Sequence, residues 1–72
     1  MEEEARMKIE EVEKRLVEIT SVAWDFEVAH GREDELWEEV LEAIAEGKAE
    51  DPAELASAAL RSRDIEFPRS RA

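Results

Sequence analysis

The only histidine of the chain lies three residues after a glutamate, a spacing that can bind a metal ion. Glu27-Val28-Ala29-His30 places a carboxylate and an imidazole on one face of a helix, as in di-iron carboxylate bundles. Such sites need further inward-facing carboxylates at mid-helix, whereas His30 directly precedes Gly31, a residue typical of helix ends. We therefore interpret His30 as part of the last turn of a helix, near the negative end of its dipole, and expect no metal site and no cofactor.

The residues for nucleophilic catalysis are missing or badly placed. The chain has no cysteine, and its serines lie outside any nucleophile-elbow or Ser-x-x-Lys motif. Its two glycines are isolated, so no glycine-rich loop can bind a phosphate. We expect no catalytic residues and predict a non-enzymatic protein.

A second carboxylate cluster lies in the segment Glu38-Glu39-Val40-Leu41-Glu42-Ala43-Ile44. It resembles the Glu-Glu-x-x-Glu helix of the all-α nucleoside triphosphate pyrophosphohydrolases, and the segment 51–56 is similar to that family's next helix. The resemblance implies that three carboxylates hold Mg²⁺ against a substrate triphosphate, those of Glu38, Glu39 and Glu42. The family's second motif, Glu-x-x-Asp, has Ser57 in place of its aspartate here. A degenerate Mg²⁺-dependent pyrophosphohydrolase-like protein is the alternative function.

The charge of the chain favours a different kind of partner. With 21 acidic and 10 basic residues, the net charge is −11, and the excess of acids lies in residues 1–54. Such a surface repels phosphate, so we expect no direct binding of nucleic acid. A basic protein surface is the complementary partner. Rows of glutamates could also imitate the phosphates of DNA, so a phage-type inhibitor or DNA mimic is one version of this prediction.

The elements that would position these groups are helices. From about Glu2 to His30, apolar residues alternate at spacings of three and four, which is the heptad pattern of a helix packed lengthwise on another. We predict a first helix over 2–30, capped by Gly31, and a second over 33–46, beginning near Asp34 and ending at Gly47. A third over 52–62 begins with an Asp51 cap and Pro52 in its first turn.

The predicted fold is all-α, a single three-helix domain over residues 1–63. An extended C-terminal tail over 64–72 follows, with Ile65 and Phe67 docked on the domain. We expect the following side chains to form the intrachain core: Val17, Trp24, Val28, Leu36, Trp37, Val40, Leu41, Ile44, Leu55, Ala59 and Leu60.

We call the apolar residues that recur at spacings of three and four along the first helix the heptad seam. We expect the seam to remain uncovered, because the second helix is much shorter than the first. Large apolar side chains left in water are costly, and so small a domain gains stability from association. We therefore predict a helical-bundle homodimer, resembling a coiled coil, whose orientation stays open. Its self-association interface would consist of Ile9, Val12, Leu16, Ile19, Ala23 and Phe26.

The absence of any long apolar run favours a protein that does not cross a membrane, and the glutamate-rich start is unlike a signal peptide. We expect a cytoplasmic protein. The function predicted from these observations is a small acidic helical protein–protein interaction module that self-associates through its first helix and binds a basic protein. The sequence leaves the identity of that partner open.

Overall fold

A computed structural model describes residues 6–67 and shows an all-α fold, as predicted. Three α-helices follow one another, α1 (Ile9–Ser21), α2 (Phe26–Ala45) and α3 (Pro52–Leu60), and a 3-10 helix (Arg61–Asp64) continues α3. Each of the three α-helices packs against the other two. The described residues contain no β-strand, only an isolated parallel bridge between Met7 and Ala49.

The prediction of one continuous helix over 2–30 is wrong, because the chain turns at residues 22–25. The Ser21 hydroxyl donates to the Glu18 carbonyl at 2.7 Å, one of the last four carbonyls of α1, and the Thr20 hydroxyl donates to the Leu16 carbonyl at 2.9 Å. Asp25 then caps α2 by accepting the Val28 amide at 3.3 Å. The turn lets α2 fold back and cover α1. One continuous helix could not bury its apolar side chains in this way.

The same turn changes the positions of the predicted helix ends. His30 and Gly31 lie inside α2 and not at a C-terminus, so their assignment to a helix end is corrected. Asp34 likewise lies inside α2 and does not begin a helix. The capping signal at Asp25 is hidden in the sequence because the apolar period continues through it.

The later boundaries agree more closely with the sequence pattern. Gly47, with φ of +72°, follows the end of α2, and its left-handed backbone is the conformation that glycine adopts without strain. Asp51 accepts the Glu54 amide at 3.1 Å, and Pro52 opens α3. The third helix is shorter than the predicted 52–62, because Arg61 and Ser62 belong to the 3-10 helix.

The segment before α1 is held to the loop between α2 and α3. The Met7 amide donates to the Lys48 carbonyl at 2.8 Å, and the Glu50 amide donates to the Met7 carbonyl at 2.9 Å. Ala49, at the centre of this contact, is buried. These bonds place the start of α1 beside the end of α2, so the two helices run antiparallel.

The heptad seam lies largely inside the single chain. Val12 and Ile19 are only 0% and 1% exposed, so their assignment to a self-association interface is corrected: α2 and α3 already cover them. Three further seam residues pack against the core while partly exposed, namely Ile9, Leu16 and Ala23. Phe26, at the start of α2, is exposed.

The residues expected to form the intrachain core divide between the core and the surface. Four of its members are buried, namely Leu36, Val40, Leu55 and Ala59, while Trp37 and Ile44 pack against them partly exposed. The core assignment of the others is corrected, because these side chains are exposed: Val17, Trp24, Val28, Leu41 and Leu60. The turn at 22–25 accounts for two of them, because the packing of α1 through Val12 and Ile19 leaves Val17 outward and Trp24 lies in the turn itself.

The start of the predicted extended tail is partly helical, since Asp64 ends the 3-10 helix. Ile65 packs against the core, and Phe67 belongs to it. The remainder of the predicted tail, 68–72, lies outside the described residues.

The two glycines should respond to alanine with opposite signs. Gly31→Ala should stabilise the fold by about 0.5–1 kcal/mol, because Gly31 lies within a helix and a Cβ there meets no other atom. Gly47→Ala should destabilise it by about 1–2 kcal/mol, because its φ is positive. Thermal unfolding followed by circular dichroism measures both variants. A loss of stability in Gly31→Ala would indicate a helix end at Gly31 and contradict the observed course of α2.

Candidate functional site

Among the described helices, α2 carries the largest excess of acidic over basic residues. This helix holds seven acidic residues and one arginine, and only Glu33 among the acids is buried. Four of the exposed carboxylates recur at spacings of seven, four and four residues, which places them in one line along the helix. We call this line the acidic row: Glu27, Asp34, Glu38 and Glu42. At 1.5 Å per residue it is about 22 Å long.

The opposite face of α2 fixes the direction of the acidic row. Its buried residues, Ala29, Glu33, Leu36 and Val40, follow one another at spacings of four, three and four and face α1 and α3. Rotation of the helix about its axis would bring carboxylates into the core, where unpaired charge is very costly. The row is therefore held toward solvent by the packing of the other face.

A buried hydrogen-bonded group connects α2 to the end of α3. The hydroxyl of Ser62 donates to the Glu33 carboxylate, and both residues are buried, at 0% and 4% exposed. The indole nitrogen of Trp37 donates to Ser62 Oγ at 3.0 Å and to the Ala59 carbonyl at 3.2 Å. These hydrogen bonds offset the cost of burying the polar groups of Glu33 and Ser62, and they fix Trp37 against α3.

An apolar groove runs between α2 and α3, next to that group. Its volume is about 240 Å³, and it is lined by Trp37, Val40, Leu41, Ala56, Ala59 and Leu60. Leu41 is 65% exposed and Leu60 is 44% exposed, so two large apolar side chains meet water at its edges. We call this feature the α2–α3 groove.

A second depression of about 390 Å³ lies between α1 and the 3-10 helix, lined by Leu16, Val17, Thr20, Ser21, Arg61 and Ile65. Its polar groups already have partners within the chain. The two hydroxyls bond to carbonyls of α1, and the Arg61 guanidinium lies 3.6 Å from a Glu13 carboxylate oxygen. It offers no polar group directed at a ligand.

The residues considered for metal binding lie at the surface of α2. His30 Nε2 lies 3.7 Å from an oxygen of Asp34, one turn further along the helix, and Glu27 is exposed. Between residues 6 and 67, no group of three or more histidine, aspartate or glutamate side chains is arranged to hold a metal ion.

The three carboxylates of the pyrophosphohydrolase resemblance are likewise exposed on α2. Glu39, a neighbour of Glu42 on the helix surface, forms an ion pair with Arg15 of α1. Glu38 and Glu42 are members of the acidic row. One of the three carboxylates thus has a cationic partner within the chain, and the other two face solvent.

The sequence pattern did not reveal the α2–α3 groove, because Leu41 and Leu60 continue apolar stripes that predict burial. One signal was available. The third helix has only nine residues and carries small side chains at 56–59, so it is too short and too narrow to cover the whole apolar stripe of α2.

Among residues 6–67, no helix combines the length and the apolar character that crossing a membrane requires. Comparison of the chain with protein-family models, with curated proteins and with solved structures gives no significant match.

Proposed function

We propose that this chain is a non-enzymatic protein-binding module that uses the acidic row of α2 to bind a basic surface of another protein. The observation that carries the proposal is the row itself. Four exposed carboxylates lie in one line on a helix whose rotation is fixed by its buried face. A fixed line of like charges costs repulsion within the free protein, and a cationic partner relieves that repulsion.

The electrostatic part of such an interface supplies mainly fast association and selectivity for basic partners. Exposed ion pairs contribute only about 0–1 kcal/mol each, so four of them do not make a tight complex without apolar contacts. The α2–α3 groove supplies such contacts on the neighbouring side of the same helix.

Two versions of the proposed function differ in the kind of partner surface that the acidic row binds. In a DNA mimic, the carboxylates would occupy the phosphate-binding cleft of a nucleic-acid-binding protein, and DNA would compete with the module. In a general binding module, the row would meet a basic helix or loop. The apolar groove beside the row favours the second version, because a phosphate-binding cleft has no need of an apolar anchor.

The pyrophosphohydrolase alternative has less support. The Arg15–Glu39 ion pair occupies one of its three carboxylates, and Ser57 replaces the aspartate of the second motif. Self-association stays a prediction. Because Val12 and Ile19 are buried in the chain, a second copy would have to use other apolar side chains than the centre of the seam.

Neutralising the row should abolish capture of basic proteins. We expect the triple variant Asp34→Asn, Glu38→Gln, Glu42→Gln to lose the basic proteins that the wild-type chain retains from a bacterial lysate at low salt. High salt should release the same proteins, since exposed charges are screened within about 10 Å at 0.1 M.

The matched control neutralises three exposed acids elsewhere, Glu10→Gln, Glu11→Gln and Glu50→Gln, and changes the net charge equally. This control should retain its partners. Equal capture by both triple variants would show that only the net charge acts, and would contradict a role for the row.

A further inference from the structure

We infer that the α2–α3 groove seats the apolar side chains of a basic amphipathic helix, whose lysines and arginines then lie on the acidic row. The inference rests on the proposed function and names the element of the partner that is bound. It assigns the apolar contacts to Leu41, Leu60 and Trp37, and the charged contacts to the row.

The size of the groove suits side chains of a protein better than a free small molecule. Its volume of about 240 Å³ is below the roughly 300–1,000 Å³ of pockets that enclose small ligands. Its lining includes Leu41 and Leu60, both exposed, together with Ala56 and Ala59. An apolar anchor of one or two residues would cover these side chains and exclude water from them.

The position of the groove beside the row argues for an amphipathic partner. Leu41 is three residues after Glu38 on the same helix, so these two side chains are neighbours on its surface. A ligand that covers Leu41 must therefore place a group next to the Glu38 carboxylate, and a lysine or arginine is the complementary one. An amphipathic basic helix presents both kinds of residue, an apolar stripe with cations along its edge.

Charge also argues against a second copy of this chain in the groove. Docking two copies through Leu41 would bring two acidic rows close together, and each chain carries a net charge of −11. A basic partner removes that repulsion.

The floor of the groove is fixed before any ligand arrives. The indole of Trp37 is held by its bonds to the Ala59 carbonyl and to Ser62 Oγ, at 3.2 and 3.0 Å. A preformed site loses less conformational freedom on binding than one that must be ordered. The same residue provides a spectroscopic probe, because it lines the groove.

The test uses the full chain with Trp24→Phe, which leaves Trp37 as the only tryptophan; Trp24 is 82% exposed, so its replacement spares the core. The probe is a synthetic amphipathic helix of leucine and lysine, and its control is a scrambled peptide of the same composition. Titration should shift the Trp37 emission to shorter wavelength with the amphipathic peptide. Its dissociation constant should be at least about tenfold lower than that of the scrambled peptide, since sealing one leucine suffices for such a factor.

Groove variants locate the contact. Leu41→Ser together with Leu60→Ser should weaken binding of the amphipathic peptide about tenfold or more. Val17→Ser is the matched control, because Val17 is 68% exposed and Leu41 is 65% exposed, and it should bind like the parent. Equal affinity for the two peptides, or binding unaffected by the groove variant, would overturn the inference.

Two further results separate the possible failures. If the groove variant binds normally while neutralising the row still weakens binding, the groove inference fails and the proposed function stands. If neutralising the row has no effect on either peptide, the proposed function fails as well. Sedimentation of the protein alone tests the other occupant, since a dimer that the groove variant dissociates would place a second copy in the groove and overturn the inference.

Discussion

Ile19→Ala should unfold most of the protein at room temperature. Ile19 is 1% exposed and lies in the core among α1, α2 and α3, so truncation removes buried apolar surface and leaves a cavity. Such substitutions cost about 2–5 kcal/mol. The core of a domain this small rarely supplies more than about 3–5 kcal/mol, so the loss is comparable to the whole free energy of unfolding. Urea unfolding followed by circular dichroism measures the change.

The control for this variant is Val17→Ala, also in α1 but 68% exposed. It should change the free energy of unfolding by no more than about 0.5 kcal/mol. The Ile19→Ala loss should not depend on protein concentration, because the chain itself covers the side chain. A folded Ile19→Ala monomer that has lost only its ability to associate would show that Ile19 belongs to an intermolecular interface and would contradict the structure.

The apolar period of the first thirty residues correctly indicated that Val12 and Ile19 are buried, but not that the same chain buries them. Val12 and Ile19 lie on the seam and are in the core. The expectation that a second chain covers them depended on an unbroken helix too long for its partners. A continuous 3.5-residue period does not by itself exclude a turn: the period runs through Phe26, but Phe26 is exposed, and the buried face of α2 begins instead at Ala29.

The acidic character of the site was predictable from composition, whereas its geometry was not. The row needs α2 to begin at Phe26, and the sequence pattern placed that start near Asp34. The α2–α3 groove depends on how far a nine-residue helix reaches across its neighbour, a tertiary quantity that no local spacing encodes. Trp24 was expected in the core, but it lies exposed in the turn at 22–25, which the sequence pattern did not predict.

Ser62→Ala should destabilise the fold by about 1–3 kcal/mol, the cost of removing one partner of buried polar groups. Its hydroxyl is fully buried and contacts both the Glu33 carboxylate and the Trp37 indole nitrogen. Alanine takes one hydrogen-bond partner from each of these groups, in a region where water does not replace it. Urea unfolding should show the lower stability, and the emission of Trp37 should change in the folded variant.

Ser57→Ala is the matched control, since this serine lies exposed within α3. It should be neutral or slightly stabilising, because alanine is the better helix former. Equal stability of the two alanine variants would show that the Glu33–Ser62–Trp37 group contributes nothing to the fold. The floor of the α2–α3 groove would then lack the support assigned to it.

The central claim is that the chain turns back at residues 22–25, so that α2 covers the seam of α1 and presents its acidic row outward. Nuclear Overhauser effects in the labelled protein test it most directly. The account predicts cross-peaks between Met7 and the segment 48–50, which the hydrogen bonds at Lys48 and Glu50 bring together, and a break in the helical pattern at 22–25. An unbroken helical pattern from Ile9 to His30, without contacts from Met7 to that segment, would contradict it.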